Sequence, residues 1–149
     1  MNLIEGAVKT EDVPDGVNCY TYADTGLRTP DGTTPTAAFF AAGYYLNELV
    51  FNVPADGKVR IGLKKDEILA NDYQVVGAWN LYYLGDQDCT SLIVNPNFDP
   101  EKGDKNTGVI EGWTTSPMNG YKQYTVSYNR AIIDLYQELS GLKKGNYKV

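Results

Sequence analysis

The residues of this chain best placed to do chemistry are tyrosines and amides that lie close together. Asn119, Tyr121, Gln123 and Tyr124 form one such group, and Asn18, Tyr20 and Tyr22 form another. A tyrosine ring offers a flat face to the apolar side of a pyranose, and neighbouring amides bond to its hydroxyls, so each group has the makings of a sugar contact. An odd separation sends Tyr121 and Tyr124 to opposite sides of a regular strand, so a bend at Gly120 is needed to bring both to one surface. The competing use of these rings is ordinary packing, since the chain's 12 tyrosines also suit the faces of β-sheets.

A third group is rich in oxygen. Asn95, Asn97, Asp99 and Glu101 alternate along one stretch, with Asp104 beyond them. Calcium takes several oxygen ligands and such loops supply them, but Pro100 stands where a calcium loop needs glycine and Asn106 where it needs a closing glutamate. A solvated turn is therefore the preferred reading, and no metal or other cofactor is assigned.

The chain has no histidine, which removes Ser-His-Asp and Cys-His catalysis and histidine metal sites. Glycoside hydrolysis needs two carboxylates facing each other across a cleft, and the acids here fall mostly in polar loops. Catalysis is not expected. Cys19 and Cys89 form no CxxC pair; they are either one disulfide or two buried thiols.

Net charge is −6, and the whole excess lies in residues 1–87. With no basic stripe to neutralise phosphates, nucleic acid is not expected as a partner, and an acidic surface is ill suited to anionic membranes. Met1 to Gly6 lack the basic start and long apolar run of a signal peptide, and no run approaches membrane-spanning length. If the parent protein is secreted, the chain is expected to be an internal piece of it.

The elements that must position these residues read mainly as strands. Val13–Gly16 and Thr29–Gly32 are turns, with a short strand at Asn18–Tyr22 between them and helical turns over Thr36–Ala42 ended by Gly43. Leu46–Val53, the turn Pro54–Gly57 and the alternating run Lys58–Lys64 read as a hairpin with Val59, Ile61 and Leu63 on one face. Gly62 marks a bulge or a close backbone approach. Gln74–Leu84 reads as one buried strand, Ser91–Val94 as a short one, and Trp113 and Tyr121–Tyr128 as two more. Ala131–Leu142 has helical spacing with Asn129 as cap, but as a strand it would place Ile133, Leu135 and Leu139 on one face.

Several of these segments together resemble a known family. Ser91–Asp99, containing Asn95-Pro96-Asn97-Phe98, followed by Gly112-Trp113, resembles the opening of galactose-binding-like jelly rolls. Ile133–Leu139, with its Tyr136-Gln137 pair, and the turn Gly141–Tyr147 resemble the next segment, which favours the strand over the helix. Ala38–Leu49, Gly57–Lys65 and Trp79–Gly85 resemble the closing part of the same domain. The order is thus rotated about a joint at Gly85–Asp88.

The resemblance implies an all-β sandwich in which residues 1–87 form the C-terminal half and 88–149 the N-terminal half. Such a sandwich is either permuted, or completed by exchange in a homodimer or by a neighbouring repeat. It implies Trp79 and Trp113 in the core. It also implies a non-catalytic carbohydrate-binding module of secreted or cell-surface proteins of gut bacteria; the alternative is a structural spacer or protein-interaction module. Gly77-Ala78 precede Trp79 where the family carries Asp-Asn, which removes a carboxylate that holds structural calcium in related modules.

Overall fold

A computed structural model of the chain describes residues 8–68, 72–83, 87–104, 106–122 and 124–149, with Lys122 in its backbone only. The chain divides into two compact units, one reaching to Asn47 and the other Glu48–Val149.

In the first unit, β1 (Cys19–Thr21) and β2 (Arg28–Pro30) pair antiparallel, Tyr20 opposite Thr29. The helix α1 (Thr33–Ala41) follows, starting earlier than its composition suggested. Pro35 sits in its first turn, where a missing N–H costs nothing. The Thr36 hydroxyl donates to the Gly32 carbonyl, 2.8 Å away. Phe39 is fully buried and packs on the rings of Tyr44 and Tyr45, with centroids 5.4 and 5.8 Å away. These rings are the small core of this unit.

The second unit is built of strands: β3 (Val50–Val53), β4 (Val59–Lys65), β5 (Tyr73–Val76), β6 (Tyr82–Tyr83), β7 (Gln87–Asp88), β8 (Gly103–Asp104), β9 (Val109–Ile110), β10 (Gly120–Lys122), β11 (Thr125–Asn129), β12 (Ile133–Leu139) and β13 (Gly145–Lys148). All pairings are antiparallel. The sheets run β3-β13-β6-β7, β12-β4, β10-β11-β5 and β8-β9. Their inner faces share one core containing Val53, Ile61, Leu81, Phe98, Trp113, Val126, Tyr128, Leu135 and Tyr147. The result is an all-β, antiparallel sandwich. Four pairings, β4–β12, β5–β11, β3–β13 and β6–β13, join a strand before the Gly85–Asp88 joint to one after it.

The turn Pro54–Gly57 forms, with the Gly57 N–H donating to Pro54, but β3 and β4 do not pair with each other. The expected hairpin is instead a corner. β3 pairs with β13 in one sheet and β4 with β12 in another. Val53 lies opposite Gly145 and Val59 opposite Leu139, so equal lengths of chain bend on both sides and the register survives the corner. At the bend the Leu142 N–H donates to the Gly57 carbonyl. Gly57 has φ +66°, and a β-carbon there would lie 2.5 Å from the Leu142 carbonyl oxygen. Only glycine fits both demands.

Three further expectations are corrected. The run expected as one strand over Gln74–Leu84 is, in its described residues up to Tyr83, two strands in different sheets, because the chain leaves β5 at Gly77 and re-enters at β6. Tyr121–Tyr128 is likewise two strands, β10 and β11, paired as a true hairpin. Ser91–Val94 is no strand: Thr90–Leu92 form a 3-10 turn, and a side chain takes both Val94 backbone groups. Ala131–Leu142 contains β12, with Ile133, Leu135, Gln137 and Leu139 inward. Gly62 faces Tyr136 without a bulge, and its missing β-carbon admits the partner strand.

Candidate functional site

Asn95, Phe98, Trp113 and Gln137, spread along the sequence, are buried and meet in one knot, with Gly112 exposed at its rim. The Gln137 amide behaves as a strand partner: it accepts from the Val94 N–H at 2.8 Å and donates to the Val94 carbonyl at 3.0 Å. The Trp113 indole N–H reaches the carbonyls of Val94 (3.0 Å) and Asn95 (3.2 Å). Its ring packs on Phe98 at 5.0 Å and on Trp79 at 5.5 Å. Gly112, at φ +79°, closes the knot, since a β-carbon would lie 2.5 Å from that of Val94. Trp113 is buried and Trp79 half-buried.

Asn95 serves the same knot. Its side-chain oxygen accepts from the Asp99 N–H at 2.7 Å, and its amide nitrogen lies 3.3 Å from the Lys102 carbonyl. The carboxylates of the loop serve its own backbone: Asp99 accepts from Glu101 N–H at 3.0 Å and Asp104 from Asn106 N–H at 2.8 Å. Those bonds hold the Asp104 carboxyl below its ordinary range. Among the described residues no group of three or more potential ligands is placed to hold a metal ion.

The first tyrosine group does not come together. Tyr121 is 5 % exposed, its hydroxyl donates to the Asp99 carbonyl, and burial pushes its pKa up. Gly120 stays in the regular register of β10, opposite Ser127, so the bend that would expose Tyr121 is absent. Asn119 is a clamp: its side-chain oxygen accepts from the Asn129 N–H at 2.6 Å and its own N–H donates to Ser127. Gln123 lies outside the described residues. Tyr124 is 59 % exposed at the hairpin tip, with a left-handed backbone of φ 58°.

Tyr20 and Tyr22 do come together, their rings edge-to-face at 5.1 Å and 82°. Tyr20 is 59 % exposed and Tyr22 half-buried. The side chain of Asn18 is exposed beside them in sequence, while its carbonyl accepts from Asp31 N–H. Cys19 and Cys89 are free, half-buried thiols.

Two solvent faces carry polar residues that the sequence alone did not single out. On β4 and β12 the Arg60 guanidinium bonds to Glu138 at 2.7 Å and covers the Tyr136 ring at 4.0 Å. On β3, β13 and β6 the outward residues are Val50, Asn52, Asn146, Lys148 and Tyr82. The Asn52 amide donates to the Asn146 side-chain oxygen at 2.8 Å. Lys148 pairs with Glu48 at 3.2 Å and stands 5.3 Å from the Tyr82 ring centre. Asparagine is a poor strand former, and two of them directly opposed were the available signal; it needed the register to be read.

Compared with known proteins, the chain matches no family profile, no curated protein and no solved structure. Among the described residues no helix is long and apolar enough to cross a membrane.

Proposed function

We propose that the chain is a non-catalytic, glycan-binding β-sandwich module of the galactose-binding-like jelly-roll type, from a secreted or cell-surface protein. The convergence of Asn95, Gly112, Trp113 and Gln137 on one knot supports the resemblance by giving its motifs a shared structural purpose. The observation that carries the binding reading is Tyr124. The turn that closes the β10–β11 hairpin calls for left-handed backbone, but glycine or asparagine meets it at less cost than a bulky ring, and a tyrosine there suits a ligand contact. The ring gains little packing in return, being mostly exposed. Tyr20 and Tyr22 supply a second aromatic surface.

A glycan panel against the folded protein tests this, followed by Tyr124→Gly and Tyr20→Ala. Binding is expected to be weak and without turnover, and lost or reduced in one of the two variants while both remain folded. No binding to any glycan at millimolar concentration would defeat the reading. It would leave the spacer or protein-interaction alternative, which one observation favours: Leu49, just before edge strand β3, and Val50, its first residue, are 64 % and 65 % exposed.

A further inference from the structure

We infer that the outward face of the β3-β13-β6 sheet is a sugar subsite, in which the Asn52–Asn146 amide pair recognises two hydroxyls of a neutral hexose. The inference rests on the glycan reading above, and it names residues distinct from the tyrosine surfaces.

The chemistry follows from counting donors and acceptors. Asn52 uses one amide hydrogen on the Asn146 oxygen. The pair therefore keeps the Asn52 side-chain oxygen as an acceptor and three amide N–H donors, one on Asn52 and two on Asn146. An acceptor and donors on two paired amides can serve two hydroxyls of one sugar, one donating and one accepting. Two residues further along β13, about 7 Å away, Lys148 pairs with Glu48 and stands over Tyr82. One of its three N–H groups goes to Glu48, which leaves donors for a further hydroxyl. Tyr82, half-buried on the next strand, adds an aromatic ring to the same face.

Folding does not explain the pair. Asparagine is depleted in strands, and a threonine or β-branched pair at two directly opposed positions would favour the sheet more. Departures of this kind from local preference concentrate where a residue serves something besides the fold. The β4–β12 face is the contrast. There Arg60 bonds to Glu138 and covers the outward Tyr136 ring, so that face is organised by charge rather than by a neutral amide pair.

The test uses the full chain with methyl glycosides of glucose, galactose and mannose at millimolar concentration. Side-chain amide resonances are followed by NMR in the native protein and in the double variant Asn52→Thr, Asn146→Thr. Threonine favours strands, so the variant is expected to fold with an unchanged or raised melting temperature. The inference expects shifts at the Asn52 and Asn146 amides and affinity about tenfold or more weaker in the variant, as for the loss of two hydrogen bonds. Binding that shifts other resonances, leaves both amides silent and survives in the variant overturns the inference while the glycan reading stands. No shift with any of the three sugars overturns the inference, and the glycan panel then decides the glycan reading by itself.

Discussion

The Asn95–Asp99 loop and the tip of the β10–β11 hairpin share one backbone peculiarity and use it oppositely. Both hold non-glycine residues in left-handed backbone: Asn95 (φ 49°) and Phe98 (φ 48°) in the loop, and Tyr124 (φ 58°) at the tip. In the loop the strain is offset on the spot. Asn95 and Phe98 are buried, the loop's polar atoms bond inward, and Trp113 seals it. At the tip the ring faces solvent. Left-handed backbone thus points to function where the side chain that bears it gains little packing in return.

The comparison is broken most directly at Trp113. Trp113→Ala removes the seal and is expected to cost about 3–5 kcal/mol, as for large aromatic truncations in cores. An unchanged denaturation midpoint would place the ring outside the core and dissolve the contrast. Gln137→Leu is expected to cost about 1–3 kcal/mol, because it leaves both Val94 backbone groups without their partner. Urea unfolding measures both.

Tyr124→Gly sharpens the other side. Relief of left-handed strain is expected to stabilise by up to about 1 kcal/mol, after the entropy cost of glycine. A clear loss of stability would show that the ring packs for the fold after all.

The smallest effect concerns Asp104, whose carboxyl is held below its ordinary range by backbone and side-chain bonds from Asn106 and Thr107. A lowered folded pKa adds stability above the ordinary aspartate range, and that contribution fades as pH falls through the lowered value. Melting of Asp104→Asn should therefore depend less on pH across the acid range than melting of the unaltered chain. Equal slopes would show that the loop does not use this carboxylate.

Much of the fold was legible because its signals are local and periodic. The alternation at Lys58–Lys64 and the face shared by Ile133, Leu135 and Leu139 match β4 and β12. What failed were statements about partners. A Pro-x-Asp-Gly turn fixes a reversal, but not whether the flanking strands stay in one sheet, so the β3–β4 corner read as a hairpin. The apolar run at Ser91–Val94 looked like a strand because sequence does not reveal that a glutamine far along the chain will bond to Val94. The site was legible only in its residue types. Tyr121 and Tyr124 look equivalent, and the register of β10 sends one inward and leaves the other at the turn. Asn52 and Asn146 are unremarkable until the register makes them neighbours.

The bent ribbon of β3–β4 against β12–β13 also has a consequence for synthesis. Arg60 and Glu138, paired across it, are 78 residues apart in the chain. At about 5–20 residues per second of translation, β4 waits on the order of 4–16 s for its partner strand to be made. During that wait Val59, Ile61 and Leu63 have no strand to cover them, and an open strand edge is a template for wrong pairing. Arg60 and Lys64 point outward on that same strand. Their charges keep the nascent edge apart from its neighbours until residues 133–148 arrive.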